Sequence, residues 1–387
     1  MLKHALQNVK VIDLANYIAG TLCPALLADL GADVIKLEPP TGDPFRMLGG
    51  AFQDWSRGKR SIAVNLRTDE GKGILYRMVK DVDVVVENYR PGVAQKLGAD
   101  YETLKKINPG IIYCSASGYG QTGPYWKKPG FDPLLQARSG AMAHQGGPGN
   151  PPVFLVLAIS DYGAALLAAY GVALALYARA RTGKGQRIET SLLRACMSTQ
   201  SGRFIIPQGM ADGVRPVDRF GEGPTYRLYP TSDGWIFLGA RGDKDWARLT
   251  RALGRDDLAR DPRYAGEAKR LGATAQLSAI LGEVLTTDSS ARWLERLESE
   301  GVPCSAVNHF ADLHDHPQVL RNGLVAEHNS PDVGPIKQRG VPVILSRTPG
   351  IAQCPAPALG QHTDEILAEL AYSQDEVLAL RRDRIVN

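Results

Sequence analysis

The sequence has no cysteine pair spaced for a disulfide framework or a zinc site. Its five cysteines, Cys23, Cys114, Cys196, Cys304 and Cys354, stand singly along 387 residues, the pattern of a chain kept reduced in the cytoplasm. There is no Lys/Arg block and no basic–aromatic stripe, and a formal net charge of +4 is too mild to argue for nucleic acid, though it suits a small polyanionic ligand. The opening "MLKHALQNVKVIDL" lacks an apolar h-region and a cleavage site, so no signal peptide is expected. One long apolar run, Tyr162 to Ala178, falls short of the ~20 residues of a usual span and is rich in Ala and Gly; it reads as a buried core helix, with no role for a membrane. P-loop, H-E-x-x-H and G-x-S-x-G signatures are missing, so standard catalytic motifs offer little. A literal G-x-G-x-x-G does occur at Gly118, Gly120 and Gly123. It fails as a dinucleotide fingerprint, because Pro124 follows at once and Pro129-Gly130 arrive before a second helical turn could form.

What is present is ordinary for a globular enzyme: 44% hydrophobic and 22% charged residues, in a chain long enough for two lobes. The first lobe reads as strand–helix units. "VKVIDL", "ADVIKLEPP", "VDVVVEN" and "GIIYCSAS" are strands, and "TLCPALLADLG", "DEGKGILYRMV" and "DYETLKKI" are helices between them. Near-continuous apolar strands alternating with helices imply a Rossmann-like α/β lobe with a parallel sheet. Past the alanine-rich helix, "TGKGQRIETSLL" adds a strand. From Thr225 the pattern changes to a hairpin turning at Ser232-Asp233-Gly234, then three helical segments and the short strand "PCSAVN": a smaller α+β lobe. The expected organisation is a large domain at 1–205, a linker at 206–224, a small domain at 225–328 and a return segment at 329–387. Two helices close the chain, the second opened by a Ser373/Glu376 capping box.

Candidates for chemistry are few. "HFADLHDHP" carries His309, His314, Asp315 and His316 and reads as a polar loop rather than a metal cluster. Cys114 ends a strand but has no local histidine to activate it, so it reads as a buried thiol. Asp161 is the most informative residue, because it opens a long helix that shows no other charge before Arg179. Spacing alone favours a capping carboxylate that complements the helix dipole. The same carboxylate, ionised at pH 7 from an ordinary pKa of ~3.9, could instead attack an activated acyl group with no general base. Small neighbours Gly163, Ala164 and Ala165 would leave room for a bulky substrate. Asp132 is expected to cap the helix that follows it, and Asp13 to make a structural hydrogen bond within the first strand. Arg203, Arg219, Arg227 and Arg241 could pair an acceptor carboxylate, but each reads better as a solvated surface arginine.

Long stretches of the chain resemble the class III coenzyme A-transferases, the family of the formyl-CoA and carnitine CoA-transferases. They include "VIDLANYIAGTLCPALLADLGADVIKLEPPTGDPFR", "GKRSIAVNLRTDEGK", "VENYRPGVAQKLG", "INPGIIYCSASGYGQTGPY", "GFDPLLQARSG" and "PALGQHTDEILAELAYS". The resemblance implies an interlocked-ring homodimer, an acyl-CoA and a carboxylic acid as substrates, and no permanently bound cofactor; because the thioester's energy is conserved in the exchange, neither ATP nor a metal is expected. It makes Asp161 the catalytic nucleophile. It places the loop Tyr17-Ile18-Ala19 near the thioester, Val64, Asn65, Leu66 and Arg67 along the nucleotide with Asn88 and Tyr89, and Lys96 against a phosphate. There are departures. Pro39 follows Glu38 where some members carry an Arg, and "LGARGDKDW", with Gly239 and Gly242, replaces a run of glycines found in the formyl-CoA/oxalate subgroup. A racemase branch that acts on 2-methylacyl-CoA esters carries His where this chain has Phe131, which cannot exchange a proton. A non-catalytic acyl-CoA-binding protein is the remaining alternative.

Overall fold

The computed structural model describes residues 2–147, 149–205 and 218–387. By contacts the chain divides into two units. The larger comprises 1–141, 154–204 and 314–387, and the smaller 142–153 and 205–313. Most of the expected linker, residues 206–217, lies outside the described residues.

The larger unit is built on a six-stranded parallel sheet of order β3-β2-β1-β4-β5-β6. Its strands are β1 (Lys10–Asp13), β2 (Asp33–Glu38), β3 (Lys59–Ala63), β4 (Val84–Glu87), β5 (Ile112–Ser117) and β6 (Arg187–Ser191). The connecting helices are α1 (Tyr17–Asp29), α2 (Gly50–Ser56), α3 (Asp69–Val79), α4 (Val93–Lys96), α5 (Tyr101–Ile107), α6 (Asp132–Arg138) and α8 (Ile159–Thr182), with α9 (Leu192–Thr199) after β6; α7 (Ala141–Gly146) belongs from residue 142 onward to the smaller unit. Alternate strand residues feed two cores. Ile12, Val85 and Tyr113 join the face covered by α3, α5 and the C-terminal helices. Val11, Val84, Val86, Ile112 and Cys114 join the face covered by α1 and α8. Burial on both faces explains why these strands read as apolar runs rather than alternating ones.

Two elements were not legible beforehand. Strand β3 begins "KR", and the hairpin β11 (Val325–Ser330) with β12 (Gly334–Arg339) has a mixed polar pattern. Both are held by charge. Arg57, just before β3, is buried against Asp29 through two hydrogen bonds of 2.9 and 2.6 Å and also donates to the Arg339 and Gly340 carbonyls. Helix α8 is one-sided rather than buried all round: Ala165, Ala168, Val172 and Ala175 face the sheet, whereas Leu166, Tyr170, Leu174 and Tyr177 are exposed.

The smaller unit carries a four-stranded antiparallel sheet of order β10-β9-β8-β7, with β7 at Gly221–Gly223, β8 at Tyr226–Pro230, β9 at Trp235–Gly239 and β10 at Cys304–Ala306. The β8–β9 hairpin closes over residues 231–234 with a Thr231–Gly234 backbone hydrogen bond. Helices at Gly242–Ala252, Thr274–Leu285 and Ser290–Ser299 pack on this sheet through Trp246, Leu249, Leu277, Leu281 and Trp293. Among the expected surface arginines, Arg227 is largely enclosed, bonded to Ser278 and paired with Asp218 at 3.2 Å. Arg241 pairs with Glu222 at 2.8 Å and lies over Tyr226. The C-terminal helix Gln374–Arg382 of the larger unit has both halves of the Ser373/Glu376 capping box.

Candidate active site

In this strand order the chain reverses direction of growth between β1 and β4. Ligands of open α/β sheets gather outside the carboxyl ends of the strands at such a switch point. The sequence candidates fall on that edge. Tyr17, Ile18 and Ala19 follow β1, Val64 to Arg67 follow β3, and Asn88, Tyr89 and Lys96 follow β4, while Asp161 lies in the first turn of α8.

The two segments at the switch are bonded to each other. Asn88 accepts from the Asn16 backbone N–H at 2.9 Å and donates to the Asn16 carbonyl at 2.6 Å. A Cβ on Gly20 would stand 2.8 Å from the Asn88 side chain, so glycine permits the approach. Tyr17-Ile18-Ala19 is not a loop but the first turn of α1, with Tyr17 in the left-handed region at φ 60°. Tyr17 is exposed, and its ring meets Phe45 edge-on at 4.8 Å. Ala19 packs with Leu135, Ala164, Leu192 and Ala195, which sets the start of α1 against the head of α8.

The remaining candidates divide by burial. The Val64 and Leu66 side chains lie in the core, so this stretch can offer a ligand only its backbone, Asn65 and Arg67. The Asn65 side chain accepts from the Arg67 N–H. Tyr89 is packed into the same core, and burial raises its phenol well above the ordinary range, with Glu87 adding to it. Arg67 and Lys96 are exposed and, among the described residues, have no carboxylate partner. Two unpaired cations on this edge are suited to phosphate groups.

Asp132 does not cap its own helix. Its Oδ1 accepts from the Ser160 N–H at 2.8 Å and from the Ser160 hydroxyl, and so it caps α8 from another segment. Gln136 donates to Asp132 Oδ2 and to the carbonyls of Leu155 and Leu157, anchoring the strand of chain that enters α8. Asp161 comes next along the helix, and among the described residues its carboxylate has no hydrogen-bond or ion-pair partner. Its environment overturns the expectation of an ordinary carboxylate. Burial first, and then the Asp132 charge, raise its pKa from 3.8 to about 7. The small residues beside it do not open space either. A Cβ on Gly163 would lie 3.0 Å from Ala195, and Ala164 and Ala165 are buried, so they seat α8 on its neighbours.

The glycine-rich stretch after β5 forms a closed loop, with no helix opening at Gly123. A Cβ on Gly118 would stand 2.7 Å from the Gly130 Cα, so the two glycine backbones touch and pinch the loop at its base. Along it, Lys128 and Arg138 lie over Tyr125 at 4.2 and 4.5 Å. Cys114 is fully buried, and desolvation, then Glu87, pushes its thiol up to about 12; it is no nucleophile. Among the described residues, no group of three or more His, Cys, Asp or Glu is placed to hold a metal. A cavity of about 410 Å³ lies at the opposite, amino edge of the sheet, lined by Lys10, Asp33, Arg60, Arg77 and Lys80 among others, and is remote from Asp161.

Sequence reasoning missed Asn16, Gln136 and the trans cap by Asp132, because each acts on a residue distant in sequence. It also missed a buried charge network under the edge, for which the lone Lys36 and Glu38 within the apolar "VIKLE" were the available signal.

The model for CoA-transferase family III matches residues 6–363. A succinyl-CoA–D-citramalate CoA-transferase of Chloroflexus aurantiacus is 36% identical over 396 residues, covering 98% of each chain. A succinyl-CoA:glutarate CoA-transferase of Mus musculus is 36% identical over 385 residues, covering 96% of this chain and 88% of the relative. The crystal structure of a CaiB/BaiF family protein from Brucella suis superposes with a TM-score of 0.87 at 33% identity, covering 95% of this chain and all of that one. With the switch-point sheet and the lone carboxylate of Asp161 already in place, the chain belongs to CoA-transferase family III and is an enzyme of that family.

Proposed function

We propose that the enzyme moves coenzyme A from succinyl-CoA to a second small carboxylic acid, with Asp161 as the nucleophile. The observation that carries this reading is the Asp161 carboxylate at the head of α8, without a partner among the described residues, on the sheet edge that also presents the exposed cations Arg67 and Lys96. The donor is suggested by relatives whose names specify succinyl-CoA. A carboxylate oxygen of Asp161 attacks the thioester carbonyl, and the carbon–sulfur bond breaks to give an aspartyl–acyl anhydride and CoA thiolate. The thiolate attacks the aspartyl carbonyl, releasing the donor acid and leaving an aspartyl-CoA thioester. The acceptor carboxylate then repeats both steps in reverse. The thioester is exchanged rather than hydrolysed, so no external energy source enters. N–H groups at the start of α8 or of the pinched glycine loop are suitable donors to the developing oxyanions.

Tyr17 to Ala19 would face the thioester, Asn65, Arg67, Asn88 and the backbone around them the nucleotide, and Lys96 a phosphate. The exposed apolar stripe of α8 supports the further reading that the working enzyme is an interlocked homodimer, and the five free cysteines suit a cytoplasmic location. The test is chemical trapping. Hydroxylamine or borohydride added after an acyl-CoA donor should label the peptide containing "ISDYG", and only with donor present. A label on the Asp13 or Asp132 peptide, or one formed without donor, would refute the assignment. A panel of mono- and dicarboxylates with succinyl-CoA, read by mass spectrometry, identifies the acceptor.

A further inference from the structure

Six charged groups are packed together beneath the start of α1: Asp13, Lys36, Glu38, Asp43, Arg46 and Lys59. Three cations face three carboxylates, and all but Arg46 are essentially buried. Lys59 Nζ gives its three protons to Asp13 at 2.7 Å, the Thr21 carbonyl at 2.7 Å and the Trp55 carbonyl at 2.8 Å. Lys36 Nζ donates to the Ala15 carbonyl at 2.8 Å and ion-pairs with Asp43 at 3.0 Å. Asp13 Oδ1 in turn accepts from the Ala15 N–H.

The backbone is therefore gripped at Ala15, through both its N–H and its C=O, and again at Thr21. Tyr17, Ile18 and Ala19 lie between these grips, and Tyr17 holds a left-handed φ that an unrestrained residue of its kind would leave. The same network fixes the ring that meets Tyr17. Asp43 Oδ1 accepts from the Phe45 N–H at 2.9 Å, and Phe45 stands edge-on to Tyr17. Lys36 thus links the turn to its aromatic support through one ammonium. Buried ion pairs are poor sources of stability compared with apolar packing, and their best use is to select one geometry.

We propose that Lys36 and Lys59 are positioning residues that hold the Tyr17–Ala19 turn in the geometry the reaction needs. Neither ammonium is exposed, so neither can touch the acyl-CoA; both act through the turn. This rests on the reading of Tyr17–Ala19 as the thioester-side wall of a CoA-transferase site.

The experiment uses paired substitutions that keep the network neutral: K36M/D43N and, separately, K59M/D13N. In each, the asparagine can still accept the backbone N–H that the aspartate held. Rates of CoA transfer are normalised to sites trapped by borohydride, with folding checked by circular dichroism. The expected result is a kcat lower by about tenfold or more per titrated site, with KM for the acyl-CoA changed by less than about threefold, as misplacement at the reacting centre predicts. A purely structural role would lower the melting temperature or the number of titratable sites and leave kcat per site intact, and that outcome would overturn the proposal. Should the paired variants not fold, F45L leaves every charge in place; a fall in kcat supports the positioning chain, and a wild-type kcat overturns it. Absence of transfer by the wild-type protein overturns the underlying reading together with this one, whereas transfer with undiminished variants overturns the positioning role alone.

Discussion

Asp132 accepts the backbone N–H of Ser160 at 2.8 Å, one residue before Asp161, so two carboxylates share the head of one helix. Asp132 is fully engaged there, with Ser160 and Gln136. Asp161 is not, and it bears the cost of the neighbouring charge along with that of burial. Helix α8 supplies the compensating field, because its N-terminus favours negative charge.

The pairing sets the pH dependence. With a pKa near 7, Asp161 becomes a competent nucleophile only as it ionises, so kcat/KM should rise with pH through about 7 and level off above it. Asp132→Asn keeps an acceptor for the Ser160 N–H but removes the like charge. Its acid limb should move to lower pH in a pH–rate profile; an unmoved limb would assign the titration to another group.

Asp161→Asn and Asp161→Ala should each abolish CoA exchange, since an amide is a very poor nucleophile and a methyl group is none. Near-wild-type transfer by either variant would exclude the covalent mechanism. The Asn variant should also be more stable at neutral and alkaline pH. The folded pKa lies above the unfolded 3.8, so ionising Asp161 disfavours the folded state progressively from pH 4 to 7 and fully above that. A gain of about 1–2 kcal/mol, or roughly 2 °C or more in Tm, should appear at pH 8 and fade towards pH 4 in calorimetric scans.

Arg67 and Lys96 are exposed cations without carboxylate partners among the described residues, and neither packs into the core. Replacing either with Ala should raise KM for the acyl-CoA about fivefold to twentyfold, the worth of one charge-assisted contact, with kcat nearly unchanged. The effect should shrink at high salt in steady-state assays. A loss confined to kcat would place these residues at the reacting centre instead.

The resemblance to the racemase branch would put a proton-transfer group at Phe131. Phe131 is half exposed and has no exchangeable side-chain proton. A chiral 2-methylacyl-CoA incubated with the enzyme in D2O should gain no enzyme-dependent deuterium at its α-carbon by mass spectrometry. Rapid exchange would make racemisation the leading reading.

The sequence already carries the parallel α/β sheet, because strands covered on both faces must be apolar throughout, as in "VDVVVEN" and "GIIYCSAS". It also determined the β8–β9 hairpin and the Ser373 capping box, whose signals lie within a few residues. It marked Asp161 as an isolated acid opening an apolar helix. What that acid is like depends on long-range packing, since its pKa is raised by burial and by Asp132, which belongs to another segment. Tertiary packing likewise sent Asp132 to cap α8, turned Val64 and Leu66 inward, and buried Lys36 and Lys59. Local pattern carries the period of an element and the chemistry of its caps. Long-range partners of charged side chains leave no period, and they are settled only when distant segments meet in a medium where an unpaired charge is too costly to keep.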